Sequence, residues 1–339
     1  MFDNLERRRS RIGFEPIQEA FPWVGGDLQT MKNAAGEKLG RLPQPGAAER
    51  VEFPTDDGSG DILIGKLHRP STPTATKPLM VLVHGLTGCE GSPDILLATD
   101  YFLARGYPVL RLNQRGAGPS GTLCKGFYHA GRSADLRLVI EAMAEQHGLA
   151  DDGVVLMGSS LGGNASLKLA GEYGDKRPDW LKAVISVSAP IDLFATSYQF
   201  LKLRNRAYHQ WLLRRMKAQC ADPDRPLADW ARQAARSARD TYDFDDKFTG
   251  PINGWSGADQ YYAVNSANRY IDDARLPVLL IHAENDPWVP VEPYHVFDWS
   301  RNRNLMPLIA SGGGHCGFHG TDGPWHLAMT ERFINEQLG

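Results

Sequence analysis

Val154-Val155-Leu156-Met157-Gly158-Ser159-Ser160-Leu161-Gly162-Gly163 decides how the rest of the chain is read. An apolar run that ends in Gly-x-Ser-x-Gly and passes into Asn164-Ala165-Ser166-Leu167-Lys168-Leu169-Ala170 predicts strand, sharp turn and helix, with Ser160 at the apex. Glycines two before and two after that serine suit a strained elbow whose flanks pack too tightly for side chains. The pentapeptide alone also describes an ordinary Gly/Ser-rich turn at a helix start, so its meaning rests on its surroundings.

Outward from the elbow, short apolar strands alternate with helices. Strands are expected at 79–83, 108–112, 183–188, 278–282 and 305–309, with helices over 95–105 and 133–147, around 294–302, and from about 324 to 337. Near-continuous apolar strands of this kind imply an α/β fold with a mostly parallel central sheet and helices on both faces. Residues 50–54 and 61–67 flank Asp56-Asp57-Gly58-Ser59-Gly60 and read as a hairpin of two edge strands, and 70–78 as a linker. Residues 194–272 interrupt the rhythm. They lack buried strands and carry Phe200, Leu203, Ala207 and Trp211 at helical spacing, as a helical cap insertion would. The expected organisation is an N-terminal arm over 1–45, a core over 46–193 and 273–339, and the insertion over 194–272.

Composition narrows the function. The 339 residues are 42% hydrophobic and 23% charged with a formal charge of -3, which suits a globular enzyme and argues against a nucleic-acid binder. Cys89, Cys124, Cys220 and Cys316 form no Cys-x-x-Cys pair, so neither a disulfide framework nor a zinc knuckle is suggested. Arg7, Arg8 and Arg9 are followed by no signal-peptide core, and no run reaches the ~20 apolar residues of a membrane span, so a soluble, cytoplasmic protein is expected.

A serine nucleophile needs a base to take its proton and an acid to orient that base. Asp286, in Ala283-Glu284-Asn285-Asp286-Pro287, follows one sheet strand, and His315, in Gly312-Gly313-Gly314-His315-Cys316-Gly317, follows the last. The order Ser160, Asp286, His315 is that of the α/β-hydrolase fold, and all three would gather at the carboxyl edge of the sheet. The competing reading is that Asp286-Pro287 merely opens a turn, with Glu284 as the fallback acid, and that His319 or His295 is the base; the loop position favours Asp286. The glycines before His315 favour it, since they let a short loop bring the ring onto the serine. A metal site from His315, Cys316 and His319 is disfavoured because the first two are adjacent and no fourth ligand is near. The backbone N–H groups of Leu161 and Leu86 would form the oxyanion hole, each worth roughly 3 kcal/mol. No cofactor or metal is expected.

The pieces Trp23-Val24-Gly25-Gly26-Asp27-Leu28-Gln29-Thr30, His84-Gly85-Leu86-Thr87-Gly88, Asn113-Gln114-Arg115-Gly116, Tyr128-His129-Ala130-Gly131 and Gly158-Ser159-Ser160-Leu161-Gly162-Gly163-Asn164 resemble the YheT-like (AB hydrolase 4) family of the α/β-hydrolase superfamily. The resemblance spans nearly the whole chain. It implies a carboxylic-ester hydrolase with Ser160, Asp286 and His315 as its triad, and some eukaryotic relatives act on phospholipids. One departure stands out: the family pattern has a His where this sequence has Asp27, so no role is carried over to that position.

The substrate class left open is a small-molecule or lipid ester. Within 200–217, apolar residues are interleaved with Lys202, Arg204, Arg206, Arg214, Arg215 and Lys217, which permits peripheral lipid contact but suits a solvated cap helix better. A thioesterase or amidase would use the same machinery. A catalytically silent binding protein on this fold is the alternative, against which an intact Ser, Asp and His set argues. Oligomeric state is not legible.

Overall fold

The computed structural model describes residues 10, 12–71, 77–146 and 152–338. Eight strands form one sheet: β1 Glu49–Pro54, β2 Ile62–His68, β3 Leu79–Val83, β4 Val109–Asn113, β5 Val154–Ser159, β6 Leu181–Val187, β7 Val278–Ala283 and β8 Leu305–Ala310. Their order is β1-β2-β4-β3-β5-β6-β7-β8, parallel from β4 to β8 and antiparallel across β1, β2 and β4. The strands in the middle of the sheet are largely apolar, β3 at every position, because both faces are covered. In β3, Leu79, Val81 and Val83 enter one core while Met80 and Leu82 enter the other, and β5 divides Val154 and Leu156 from Val155 and Met157 in the same way. Each such buried side chain contributes roughly 1.5–3 kcal/mol.

Several expectations need correction. Only β1 is an edge strand of the hairpin; β2 pairs with β4 on its far side, a partnership local alternation cannot reveal. The N-terminal arm holds a helix, Gly26–Lys38. The helix expected at 95–105 is Pro93–Leu103, and that around 294–302 is two short pieces, Glu292–Val296 and Trp299–Arg301. His147, the tripeptide Arg7 to Arg9 and most of the 70–78 linker lie outside the described residues.

Between β6 and β7 the described chain is helical, including Leu193–Leu201, Arg206–Ala221, Asp229–Ser237 and Ala258–Asn265. The apolar stripe expected through Leu203, Ala207 and Trp211 does not form: Leu203 is 82% exposed. A 3-10 turn over Leu203–Asn205, fixed by Asn205 donating to Gln199 and Pro287 carbonyls at 2.9 and 2.8 Å, resets the register. The next helix therefore buries His209, Leu212, Leu213, Met216 and Cys220 instead. Leu212, Leu213, Met216 and Cys220 share a third core with Phe127, Tyr128 and Leu161, so the insertion packs against the carboxyl edge of the sheet. Among the described residues no helix is long and apolar enough to cross a membrane.

Candidate active site

Loops following β3, β5, β7 and β8 meet at that edge. Where β5 turns into the helix Leu161–Tyr173, Ser160 adopts φ 51° and ψ -121°, a strained conformation for a residue with a side chain. Its N–H donates to the Val187 carbonyl at 2.8 Å, and its own carbonyl accepts from the Asn164 N–H at 3.1 Å. Contact dictates the neighbouring glycines. A Cβ on Gly158 would run into the Gly162 backbone, and one on Gly85 would lie 3.0 Å from Ser160 Cβ.

Ser160 Oγ lies 3.0 Å from His315 Nε2, and His315 Nδ1 lies 2.8 Å from Asp286 Oδ2. With a carboxylate accepting at Nδ1, the proton sits there and Nε2 accepts from the Ser160 hydroxyl. Asp286 Oδ1 takes the N–H groups of Trp288 and Val289 at 2.8 and 2.9 Å. Turn-opening and histidine-facing, expected as competitors, are thus done by two oxygens of one carboxylate. Burial pushes the Asp286 pKa up, but the charge and hydrogen bond of His315 outweigh it and hold the carboxyl below its ordinary value. For His315 the signs reverse: burial pushes the imidazole down, and Asp286 overrides this and raises it well above the ordinary value. The Trp288 indole stacks on the His315 ring at 4.7 Å between centroids, a placement that also favours a cation. Glu284 and His295 pair with each other at 3.1 Å, both about half exposed, and do not join this chain. His319 is held through its backbone N–H by Gln29 Oε1 at 2.7 Å, and burial lowers its pKa to about 3. Among the described residues no three His, Cys, Asp or Glu side chains are grouped to hold a metal ion.

Leu86 and Leu161 line the cavity in front of Ser160, and among the described residues neither backbone N–H has a hydrogen-bond partner. The Leu86 loop is fixed from behind. His84, kept neutral by burial that lowers its pKa to about 4, donates from Nδ1 to the Gly85 carbonyl at 2.8 Å and accepts at Nε2 from the Gln114 N–H at 3.2 Å. The Tyr128 hydroxyl accepts from the Thr87 N–H at 2.7 Å and donates to Gln219 at 2.9 Å. Asn164 ties the elbow helix to the insertion, donating to the Ala130 and Asn265 carbonyls at 2.8 Å each and accepting from the Ala267 N–H at 3.0 Å. Arg115 is a structural anchor, buried between Asp61 at 2.8 Å and Asp135 at 2.6 Å.

Sequence reading missed what the arm does. Thr30 accepts the His315 N–H at 2.8 Å, Glu19 accepts the N–H groups of Gly313 and Gly25 at 2.9 and 2.6 Å, and Gln29 donates to the Trp23 and His319 carbonyls. The signal was the Gly-Gly-x-Leu-Gln-Thr string itself. Asp27 bonds Arg204 at 2.9 Å and Tyr208 at 3.0 Å, linking arm to insertion. Asp94 was also missed. It lines the cavity beside Ser159, and burial raises its pKa against the hydrogen bond that Ser159 offers. The cavity measures about 240 Å³ and is walled by the arm helix, the sheet-edge loops and the insertion.

A family model described as the alpha/beta hydrolase fold matches residues 78–320. YheT of Escherichia coli (strain K12) is 30% identical over 254 residues, covering 72% of this chain and 71% of that protein. The medium-chain fatty acid ethyl ester synthase/esterase 2 of Saccharomyces cerevisiae is 26% identical, over 71% of this chain and 58% of the longer yeast protein. Phospholipase ABHD3 of Bos taurus is 28% identical, over 76% and 61%. Among solved structures, the Pyrococcus furiosus esterase Pf2001 superposes with a TM-score of 0.59 at 16% identity, covering 96% of this chain and 100% of that one, a likeness of fold. The matched fold over most of the chain and the identity with YheT place the protein in the α/β-hydrolase family, in its YheT-like branch.

Proposed function

We propose that the protein is a serine hydrolase of carboxylic esters that works through an acyl-enzyme. Ser160 Oγ attacks the ester carbonyl carbon as His315 Nε2 takes its proton; the protonated imidazole then gives that proton to the departing alcohol. Water repeats the sequence on the acyl-enzyme and restores Ser160. Asp286 orients His315 and offsets its charge, and the N–H groups of Leu86 and Leu161 bind the oxyanion. Residues 194–272 act as a cap that shapes the acyl pocket and excludes water. The observation that carries this reading is the continuous chain Ser160 Oγ, His315, Asp286 at 3.0 and 2.8 Å, opening on a cavity. Relatives named as an esterase, a phospholipase and a monoacylglycerol lipase support ester substrates, small-molecule or lipid.

The test is hydrolysis of p-nitrophenyl esters from acetate to palmitate, with wild type beside Ser160→Ala. Turnover that vanishes in the variant while its circular dichroism is unchanged supports the nucleophile, and the preferred chain length sizes the pocket. No turnover of any ester, with no labelling of Ser160 by a fluorophosphonate, overturns the esterase reading in favour of a binding role.

A further inference from the structure

The cavity wall contributed by the insertion is not uniformly apolar. Asp245 lines it, at the start of a π-helical turn over Asp245–Thr249. Such wide turns interrupt an α-helix at a cost and recur at functional sites. Tyr262 donates its hydroxyl to Asp245 Oδ2 at 2.7 Å, and Ser197 Oγ lies 3.3 Å from the same phenol oxygen. The Thr249 side chain also hydrogen-bonds this carboxylate, and since a carboxylate offers about four acceptor positions, roughly half of its capacity is left. One α-helical turn earlier, joined by the Asp245 N–H donating to the Thr241 carbonyl, stands Thr241. Thr241 also lines the cavity and is 7% exposed, and its buried Oγ1 has no hydrogen-bond partner. An acceptor with spare capacity and an orphaned hydroxyl therefore stand side by side on a wall whose other residues include Phe200, Phe244 and Met216. Leaving such groups dry and unpaired is costly, and a wall that served only to hold an alkyl chain would carry neither.

We propose that Asp245 and Thr241 form a specificity site for a hydroxyl group carried by the substrate away from its ester bond. A hydroxyl matches both residues: it donates to the Asp245 carboxylate and accepts from the Thr241 hydroxyl. The inference rests on the serine-esterase reading and adds the class of ester, one hydroxylated at the end that lies under the insertion. Burial raises the Asp245 pKa to about 6, so the carboxylate form prevails at neutral pH and above.

The experiment compares kcat/KM for ester pairs of equal length that end in a hydroxyl or a methyl group, at pH 8. One series bears that end on the acyl chain, from butanoyl to decanoyl, and a second bears it on the alcohol. Wild type is expected to favour the hydroxyl-ended member of some pair by roughly ten- to a hundredfold, in whichever series reaches the site. Asp245→Asn and Thr241→Val, the latter keeping shape while removing the hydroxyl, are each expected to reduce that ratio. Because the ratio is taken within one preparation, a loss of folded protein does not move it. Methyl-ended esters turned over as well as hydroxyl-ended ones at every length in both series overturn this inference and leave the esterase reading standing. A wild-type preference that persists undiminished in both variants also overturns it. Turnover of neither kind overturns both readings.

Discussion

At the scale of single residues, the electrostatics of the site are set by one buried pair. In the proposed reaction hydrolysis needs neutral His315, so activity is expected to rise with pH through a pKa that Asp286 holds above the ordinary 6.5. Asp286→Asn removes the upward pull and leaves the burial that pushes down. The acidic limb of the kcat/KM profile is expected to move to lower pH while the plateau falls about 10⁴-fold; a limb that stays in place would show that Asp286 does not set it. Tyr128 lines the cavity and holds the Leu86 loop through Thr87. Tyr128→Phe strips the Thr87 N–H of its acceptor, and kcat is expected to fall roughly tenfold with KM little changed, as steady-state kinetics would read.

Among the elements, the arm helix Gly26–Lys38 was the least legible from sequence. It buries Gln29, which is 0% exposed, while Leu28 and Met31 face outward at 44% and 50%. A helix that docks through hydrogen bonds leaves no apolar stripe to read, whereas the interior strands announce themselves because burial on both faces demands unbroken apolar runs. Gln29→Leu is expected to cost about 1–3 kcal/mol in denaturant unfolding and to lower kcat, since it frees the segment after His315. Asp27→Ala, which breaks a half-exposed pair with Arg204, is expected to cost less than about 1 kcal/mol. The elbow, the histidine loop and the Asp286 turn could be read because each pairs a chemical residue with local turn chemistry. Asp94 and Trp288 could not, for their meaning comes from Ser159 and His315, far away in the chain.

For the molecule as a whole, the antiparallel flank is fastened by charge. Arg115, 2% exposed, binds Asp61 and Asp135, themselves 1% and 7% exposed. Arg115→Leu takes the shared buried cation from both carboxylates, leaving Asp135 with Arg132 and Asp61 with the Lys125 and Gly126 N–H groups, and a loss of about 3–5 kcal/mol is expected by thermal or urea unfolding, a result that a neutral substitution would contradict. The Asn113-Gln114-Arg115-Gly116 string was legible as a motif, but its structural office was not, because Asp61 and Asp135 approach from opposite directions along the chain. The arm helix has one more effect, on the timing of biosynthesis. Thr30 and His315 are 285 residues apart, and Gln29 and His319 are 290 apart. At ribosomal rates of roughly 5–20 residues per second, the helix made early waits about 15–60 s for the loop it will clasp. The histidine loop is made 285 residues after the helix residue that seats it, so a nascent chain has no seated histidine loop until that whole stretch has been translated.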